Sequence, residues 1–247
     1  MSEAARILAL AHKDARGIAR DSFLLWIALY PLVLVALLRL VLPWIPVDGI
    51  ALYLAPAAAI LAPSLVGILL GFSLIEEREQ KTWELLRVLP LRERTLWGYL
   101  IGGSLALAVA LALACSAIYG RAPTAPGRFL LMTAAAALVA PTLAMLLAAV
   151  ARDKIQGLAL GKILSAPSAA PVLAFFIPTA WQPLLFWSPW YWIYAGLLDS
   201  FAAPGELAAL GCPLLIPSAI GAELAVPVAV CGLTIFLSLR ALRRRIG

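Results

Sequence analysis

Charge is scarce in this chain. Asp, Glu, Lys and Arg make up 13% of its 247 residues, about half the share of an ordinary soluble domain. A soluble fold of this size keeps a large polar surface in water, so a soluble enzyme is excluded. Histidine is nearly absent: His12 stands alone, which leaves no zinc-ligand spacing and no catalytic set built around an imidazole. Cys115, Cys212 and Cys231 are too few and too scattered for a disulfide scaffold, and they form no Cys-x-x-Cys pair. The hydrophobic set, by contrast, reaches 64%, the reverse of a disordered composition. The chain reads as a polytopic membrane protein.

The net charge of +6 would hint at nucleic acid in a soluble protein. No RNA-binding motif or basic-aromatic platform accompanies it, and membrane topology explains it better. Six apolar runs are long enough to span a bilayer, roughly 23–42, 52–75, 96–119, 129–150, 160–178 and 221–239. Each is expected to be helical, because hydrocarbon offers the backbone no hydrogen-bond partner and the alternation of a barrel strand is missing. The predicted fold class is therefore all-α integral membrane, with 1–247 as a single transmembrane domain.

Lys and Arg set the orientation. Residues 1–22, 76–95, 152–154 and the C-terminus after 239 hold 15 of the 19 basic residues. The opposite connections, 43–51, 120–128 and 179–220, hold only Arg121 and Arg128. The positive-inside rule then puts both termini in the cytoplasm, with the cell inner membrane as the location. Residues 1–22 lack the proportions and cleavage site of a signal peptide. Ile7, Ala11, Ala15 and Ile18 instead share one helical face, as in an amphipathic helix on the inner leaflet; a solvated tail is the plainer reading.

The connection 76–95 carries five acids and five bases. Thr82 can cap a short helix with Glu84 in its first turn. Leu85, Leu86 and Leu89 would form an apolar ridge, and Pro90 would stop the helix. Such a helix suits a cleft in another protein; a solvated loop with balanced charge is the alternative.

Glu77-x-Glu79-x-x-Thr82, Leu85-Leu86 and Pro90-Leu91, placed between the second and third spans, resemble the coupling region of ABC-2 type permeases. In that family the pattern runs as Glu, a Gly-Thr pair, a Leu pair and a Pro before the third span. Here Lys81 stands where Gly is usual, and Gly98-Tyr99 where Gly-Lys is often seen. Lys13-Asp14, Arg20-Asp21 and the run Pro189-Trp-Tyr-Trp192 resemble the smaller drug-export permeases of the class. The resemblance implies a permease half that pairs with a second half, as a homodimer or with a related permease. It further implies a separate ABC ATPase subunit docked on Glu77, Glu79, Thr82, Leu85, Leu86 and Pro90. ATP and Mg would be handled by that partner, with no cofactor or metal bound by this chain. In agreement, the nearest approach to a phosphate-binding Gly-x4-Gly-Lys-Ser/Thr is Gly157 to Ile163, which is one residue short and lacks the hydroxyl.

Arg39, Lys162 and Glu223 fall inside or at the ends of the apolar runs. Each reads as an interfacial residue that can snorkel, with a substrate-pathway role as the sharper alternative. Residues 179–220 gather Trp181, Trp187, Trp190, Tyr191, Trp192 and Tyr194. They read either as an aromatic belt or, following the family, as re-entrant helices at the outer gate, where Trp187, Trp190, Tyr191 and Glu223 are candidates for the pathway. Pro141, Pro167 and Pro171 would bend the fourth and fifth spans, and Gly98-x3-Gly102 permits close helix contact within the bundle or across a dimer. The expected function is the translocation path of an ATP-driven exporter for a hydrophobic or amphipathic substrate such as a drug or lipid. A secondary transporter would show matching broken spans in the two halves, which the sequence lacks. A membrane enzyme would need a base beside a hydroxyl such as Ser104.

Overall fold

The computed structural model describes residues 16, 22–80, 93–165, 168, 170–215 and 220–246. The N-terminal segment expected to be amphipathic lies outside them, apart from residues 16 and 22, as do Thr82, Leu85, Leu86 and Pro90. Every regular element among the described residues is helical.

Helix α1 is Ser22–Val41 and α2 is Ile50–Glu79, 30 residues long. After them come α3 (Glu93–Tyr119), α4 (Pro126–Ala137), α5 (Val139–Val150), α6 (Lys154–Ser165) and α7 (Ala170–Ala174). A 3₁₀ turn at Thr179–Leu185 leads to α8 (Pro189–Phe201), and the chain continues through α9 (Glu206–Ala209) into α10 (Ile220–Ile246). Among the described residues, five helical stretches are long and apolar enough to cross a membrane: Ile50–Glu79, Trp97–Tyr119, Pro126–Val150, Lys154–Ala174 and Glu223–Leu242. The apolar stretch Leu29–Trp44 is shorter.

Helix α2 is the axis of the bundle. It packs along α5 and α3, and also against α1, α6 and α8. The closest approach is to α5, and glycine makes it possible. A Cβ on Gly67 would stand 2.8 Å from Ala140 O and from Leu143 Cβ, and one on Gly71 would stand 2.8 Å from Leu147 Cδ1. With no side chain between them the two backbones gain dispersion contact that lipid cannot match. Among the described residues, Gly98 and Gly102 have nothing within 4 Å of a Cβ, so no described element covers their face of α3.

Proline shapes the helices locally. The fourth span breaks at Leu138, between α4 and α5. Pro141 has no N–H to give to Ala137 O, and its ring crowds that carbonyl. Leu138 N turns instead to Ala135 O at 3.2 Å. In α2, Pro56 likewise frees Leu52 O, and two buried tyrosines reach the carbonyls on either side of it. Tyr119 Oη donates to Ala51 O at 2.7 Å and Tyr194 Oη to Tyr53 O at 2.5 Å.

Arg39, at the end of α1, donates from Nη1 to Ile118 O at 2.7 Å, a cation on the C-terminal turn of α3. Its guanidinium carbon stands 2.9 Å from where a Cβ on Gly120 would be, and Gly120 has φ 84°. Space and backbone both require glycine there.

The α2–α5 seam yields a test. Gly71→Val should lower stability by about 1–3 kcal/mol, the cost of overpacking a filled contact, read as a fall in the unfolding midpoint of the purified protein in detergent. Gly102→Ala, on the open face, should leave the midpoint unchanged or raise it slightly through helix propensity.

Candidate functional site

Two polar constellations lie at opposite ends of the fourth span, Pro126–Val150. The first is at the end of α2 that leads into residues 81–92. Arg78 donates to Ala148 O at 3.0 Å, to Arg152 O at 2.9 Å, and to Ala151 O. These carbonyls are at and just past the C-terminus of α5, where a helix has no amide of its own to offer. Lys154 Nζ pairs with Glu76 Oε2 at 3.1 Å, and Lys154 N donates to Glu79 Oε1 at 3.0 Å. Glu79 thus caps the N-terminus of α6 from another helix. Asp153 and Gln156 complete the turn: Gln156 N donates to Asp153 Oδ1 and Arg152 N to Gln156 Oε1, both at 2.7 Å. The last turn of α2 is therefore bonded to the joint between the fourth and fifth spans.

Of the residues expected to couple to an ATPase, Glu77 and Glu79 are on this turn, Glu77 half-buried and Glu79 exposed. Thr82, Leu85, Leu86 and Pro90 lie outside the described residues. Arg78, which the sequence reading counted only as a charge, is the residue at the centre of the clamp. A cation one turn from a helix end, with another helix ending nearby in the fold, is a signal that the sequence alone cannot pair.

The second constellation joins α4, α8 and α10. Arg128 Nη2 contacts Glu223 Oε1 at 2.5 Å, and Nη1 bonds Asp199 Oδ2. Glu223, expected at the interface, is fully buried. Each partner explains the next. Arg128 is in the first turn of α4 and Asp199 in the last turn of α8, so each sits at the wrong pole of its own helix dipole. Together they cancel that penalty, and Glu223, in the first turn of α10, is favourably placed. A basic residue straight after Pro126-Gly127 was a legible hint that an acid partner was needed.

Around this cluster the 179–215 segment folds on a buried amide. Gln182 is fully enclosed; its Nε2 donates to Ala174 O at 3.1 Å and Pro213 O at 2.7 Å, and its Oε1 accepts from Leu215 N at 2.9 Å. The Tyr191 hydroxyl lies 3.0 Å from both Gln182 Oε1 and Leu215 O. Trp192 Nε1 donates to Phe186 O at 2.8 Å. Trp190 and Tyr191 are thus core residues at 3% and 1% exposure, whereas Trp187 is 63% exposed. An aromatic belt would show its rings, and most of these rings are hidden.

Lys162 is exposed on the last turn of α6. Gly157 of the phosphate-loop near match packs against α2, where a Cβ would stand 2.9 Å from Ile75 Cδ1, so it serves helix contact. Ser104 Oγ donates to Ile101 O at 2.8 Å within its own helix. The cysteines are free, with Cys115 and Cys231 buried.

At the rim, Arg121 Nη2 meets Glu206 Oε1 at 2.7 Å, and Ala203 N donates to Glu206 Oε2 at 2.8 Å. The Ala203 amide first, and Arg121 second, hold the Glu206 carboxyl below its ordinary value of 4.5. A depressed folded value means that the tie is complete above the ordinary value and is lost as pH falls through the folded one. Amide exchange in 203–211 should therefore rise, after correction for intrinsic rates, as pH drops below about 4.5, and Glu206→Gln should remove that dependence. At the other end, Arg78→Gln should cost about 2–3 kcal/mol, because charge-assisted bonds to otherwise unpartnered carbonyls are lost, with Arg78→Lys between it and the native protein. Denaturation in detergent reads both.

No curated protein and no solved structure matches the chain. A family model does: the Rv2686c-like family, described as fluoroquinolones export permease protein Rv2686c-like, matches residues 14–228. With that match over most of its length and its several membrane-length helices, the chain is a multi-pass membrane protein that belongs to the Rv2686c-like export permeases, an ABC-2 type permease family.

Proposed function

We propose that the chain is the membrane-spanning half of an ATP-driven exporter, lying in the inner membrane with six spans and both termini in the cytoplasm. A separate ABC ATPase subunit docks on 76–95 and handles ATP and Mg. A second permease half, identical or related, completes the path, and membrane lipids surround both. The substrate is hydrophobic or amphipathic; the family name makes a fluoroquinolone-like drug the first compound to try. Trp187, Trp190, Tyr191 and Glu223 belong to the outer gate, with Trp187 on its exposed face and the other three packed behind it, and α8 is the re-entrant element, a reading supported by its packing against α4, α7 and α10.

One observation carries the ATP-coupling part: the clamp on Arg78, Glu76 and Glu79. The turn that feeds directly into the docking segment is bonded to the joint of two spans, so force arriving at 81–92 has a stiff route into the bundle. Among the described residues, the exposed face of α1 (Leu29, Val33, Leu37 and Leu40) and the face at Gly98 and Gly102 are uncovered, available to lipid and to a second half.

The decisive variant is Leu85→Asp with Leu86→Asp. Burying one Leu side chain contributes about 1.5–3 kcal/mol, so losing both should weaken ATPase docking at least about tenfold even after the costs of association. Retention of the ATPase on the folded permease, and substrate-stimulated hydrolysis, should both fall. Full docking and transport in the variant would reduce the segment to a solvated loop. Orientation has its own check. In a background without the three native cysteines, Ala122→Cys should label from outside the cell and a cysteine added after Gly247 only after the membrane is opened. Labelling of both from one side would overturn the topology.

A further inference from the structure

The Arg128–Asp199–Glu223 cluster has one more negative charge than positive, and its innermost member is unfinished. Glu223 Oε1 is bonded to Arg128, while Glu223 Oε2 is buried with no hydrogen-bond partner. A carboxylate oxygen buried without a partner is costly even when its twin is paired, and intramembrane carboxylates of this kind mark places where a cation binds. Exposure is graded along the cluster, with side chains 36% exposed at Asp199, 16% at Arg128 and 0% at Glu223. Water reaches the first and not the last. The space beside Oε2 is small. A Cβ on Gly196 would stand 3.0 Å from Oε2 and 2.5 Å from Met132 Sδ, so even a methyl group has no room there.

We propose that the cluster is a proton-binding site, with Glu223 Oε2 taking the proton and the contact between Arg128 and α10 responding to its arrival. A proton from water passes along the Asp199 side and forms an O–H bond at Oε2. No other covalent bond in the protein changes, and the cluster goes from one net negative charge to neutral. Arg128 keeps its pair with Asp199 and loses the ionic part of its hold on Glu223. The tie between α4 and α8 therefore stays, while the tie to α10 loosens, and the outer end of the last span is released selectively. The surroundings leave no competing group among the described residues. Helix α5, packed on α10, carries no ionisable side chain; on α8, the Tyr191 and Tyr194 hydroxyls are engaged elsewhere; on α4, Arg128 is the one charge. This inference is independent of the ATPase docking proposed above.

The test is infrared difference spectroscopy on the intact permease in lipid nanodiscs, titrated in pH, with spin labels at exposed Leu130 and Val228 in parallel. The native protein should show a protonated-carboxyl band that disappears in Glu223→Gln. In Asp199→Asn the band should persist with its midpoint moved to lower pH, since one negative neighbour is gone. The distance between labels should change with the same midpoint and be fixed at its low-pH value in Glu223→Gln. Asp199→Asn keeps the idea testable if Glu223→Gln fails to fold. Sodium chloride added at constant pH should move neither signal. The proposal is overturned by a band that survives Glu223→Gln, by no titrating carboxyl band in the native protein, by an unmoved midpoint in Asp199→Asn, or by sodium replacing the proton.

Discussion

A helix leaves its last carbonyls and first amides without partners, and in a membrane protein those ends cannot all be handed to water. Much of the polar chemistry in this chain answers that constraint. Arg78 finishes the C-terminal end of α5, Arg39 that of α3, and Glu79 with Asp153 the N-terminal end of α6. Gln182 does the same for an irregular segment, bonding the backbone of residues 174, 213 and 215. In each case the capping side chain belongs to a different element from the end it finishes, apart from Asp153. Local closure of the backbone has become tertiary structure. This is why so few charges suffice to organise the bundle.

The charges that are not caps follow a related logic. Arg128 at a helix start and Asp199 at a helix end oppose their own dipoles, and neither placement is stable alone in an apolar setting. Their pairing turns two local faults into one interhelical contact. Glu223 then adds a charge that the pair does not need for neutrality. Apolar packing cannot explain it, because replacing a buried ion pair with hydrophobic residues is often neutral or stabilising. A surplus buried carboxylate is the signature of use rather than of support.

Helix positions were largely legible because the apolar runs are long and the breaks between them are charged or rich in Pro. Runs 52–75 and 96–119 fall inside α2 and α3, and the fourth run falls within Pro126–Val150. Hydropathy places the fifth run at 160–178, whereas the helix begins at Lys154: the Asp153 and Gln156 cap starts it inside a polar stretch that hydropathy skips. The site was less legible. A Gly-x3-Gly spacing marks both Gly98–Gly102 and Gly67–Gly71, and among the described residues only the second meets a partner. Spacing states that an approach is possible, while the facing residues decide whether it happens. Glu223 looked interfacial because depth was judged along one helix. Its burial comes from α4 and α8: Arg128, 95 residues away in sequence, bonds it, and Gly196 of α8 stands beside its Oε2. Arg128 belonged by position to an outer loop, and only the fold places it against two acids.

The two constellations are also the two ends of one element. Arg128 is in the first turn of the fourth span, and the carbonyls of Ala148, Ala151 and Arg152 are at its other end, about 30–36 Å away at the rise of a straight helix. Between them the span is interrupted at Leu138 by the proline three residues on. A straight rod would transmit displacement from either end directly; a rod with a joint converts it into bending. The lower half, α5, is held against α2 by the Gly67–Gly71 seam and by Arg78, so it is fixed to the turn that precedes residues 81–92. The upper half, α4, is held to α8 and α10 by the charged cluster. Loosening Glu223 from Arg128 therefore does not simply open a gap at one end. It changes only how the start of the last span is tied to the upper half of the jointed span, while that last span keeps its packing on α5 and on α8.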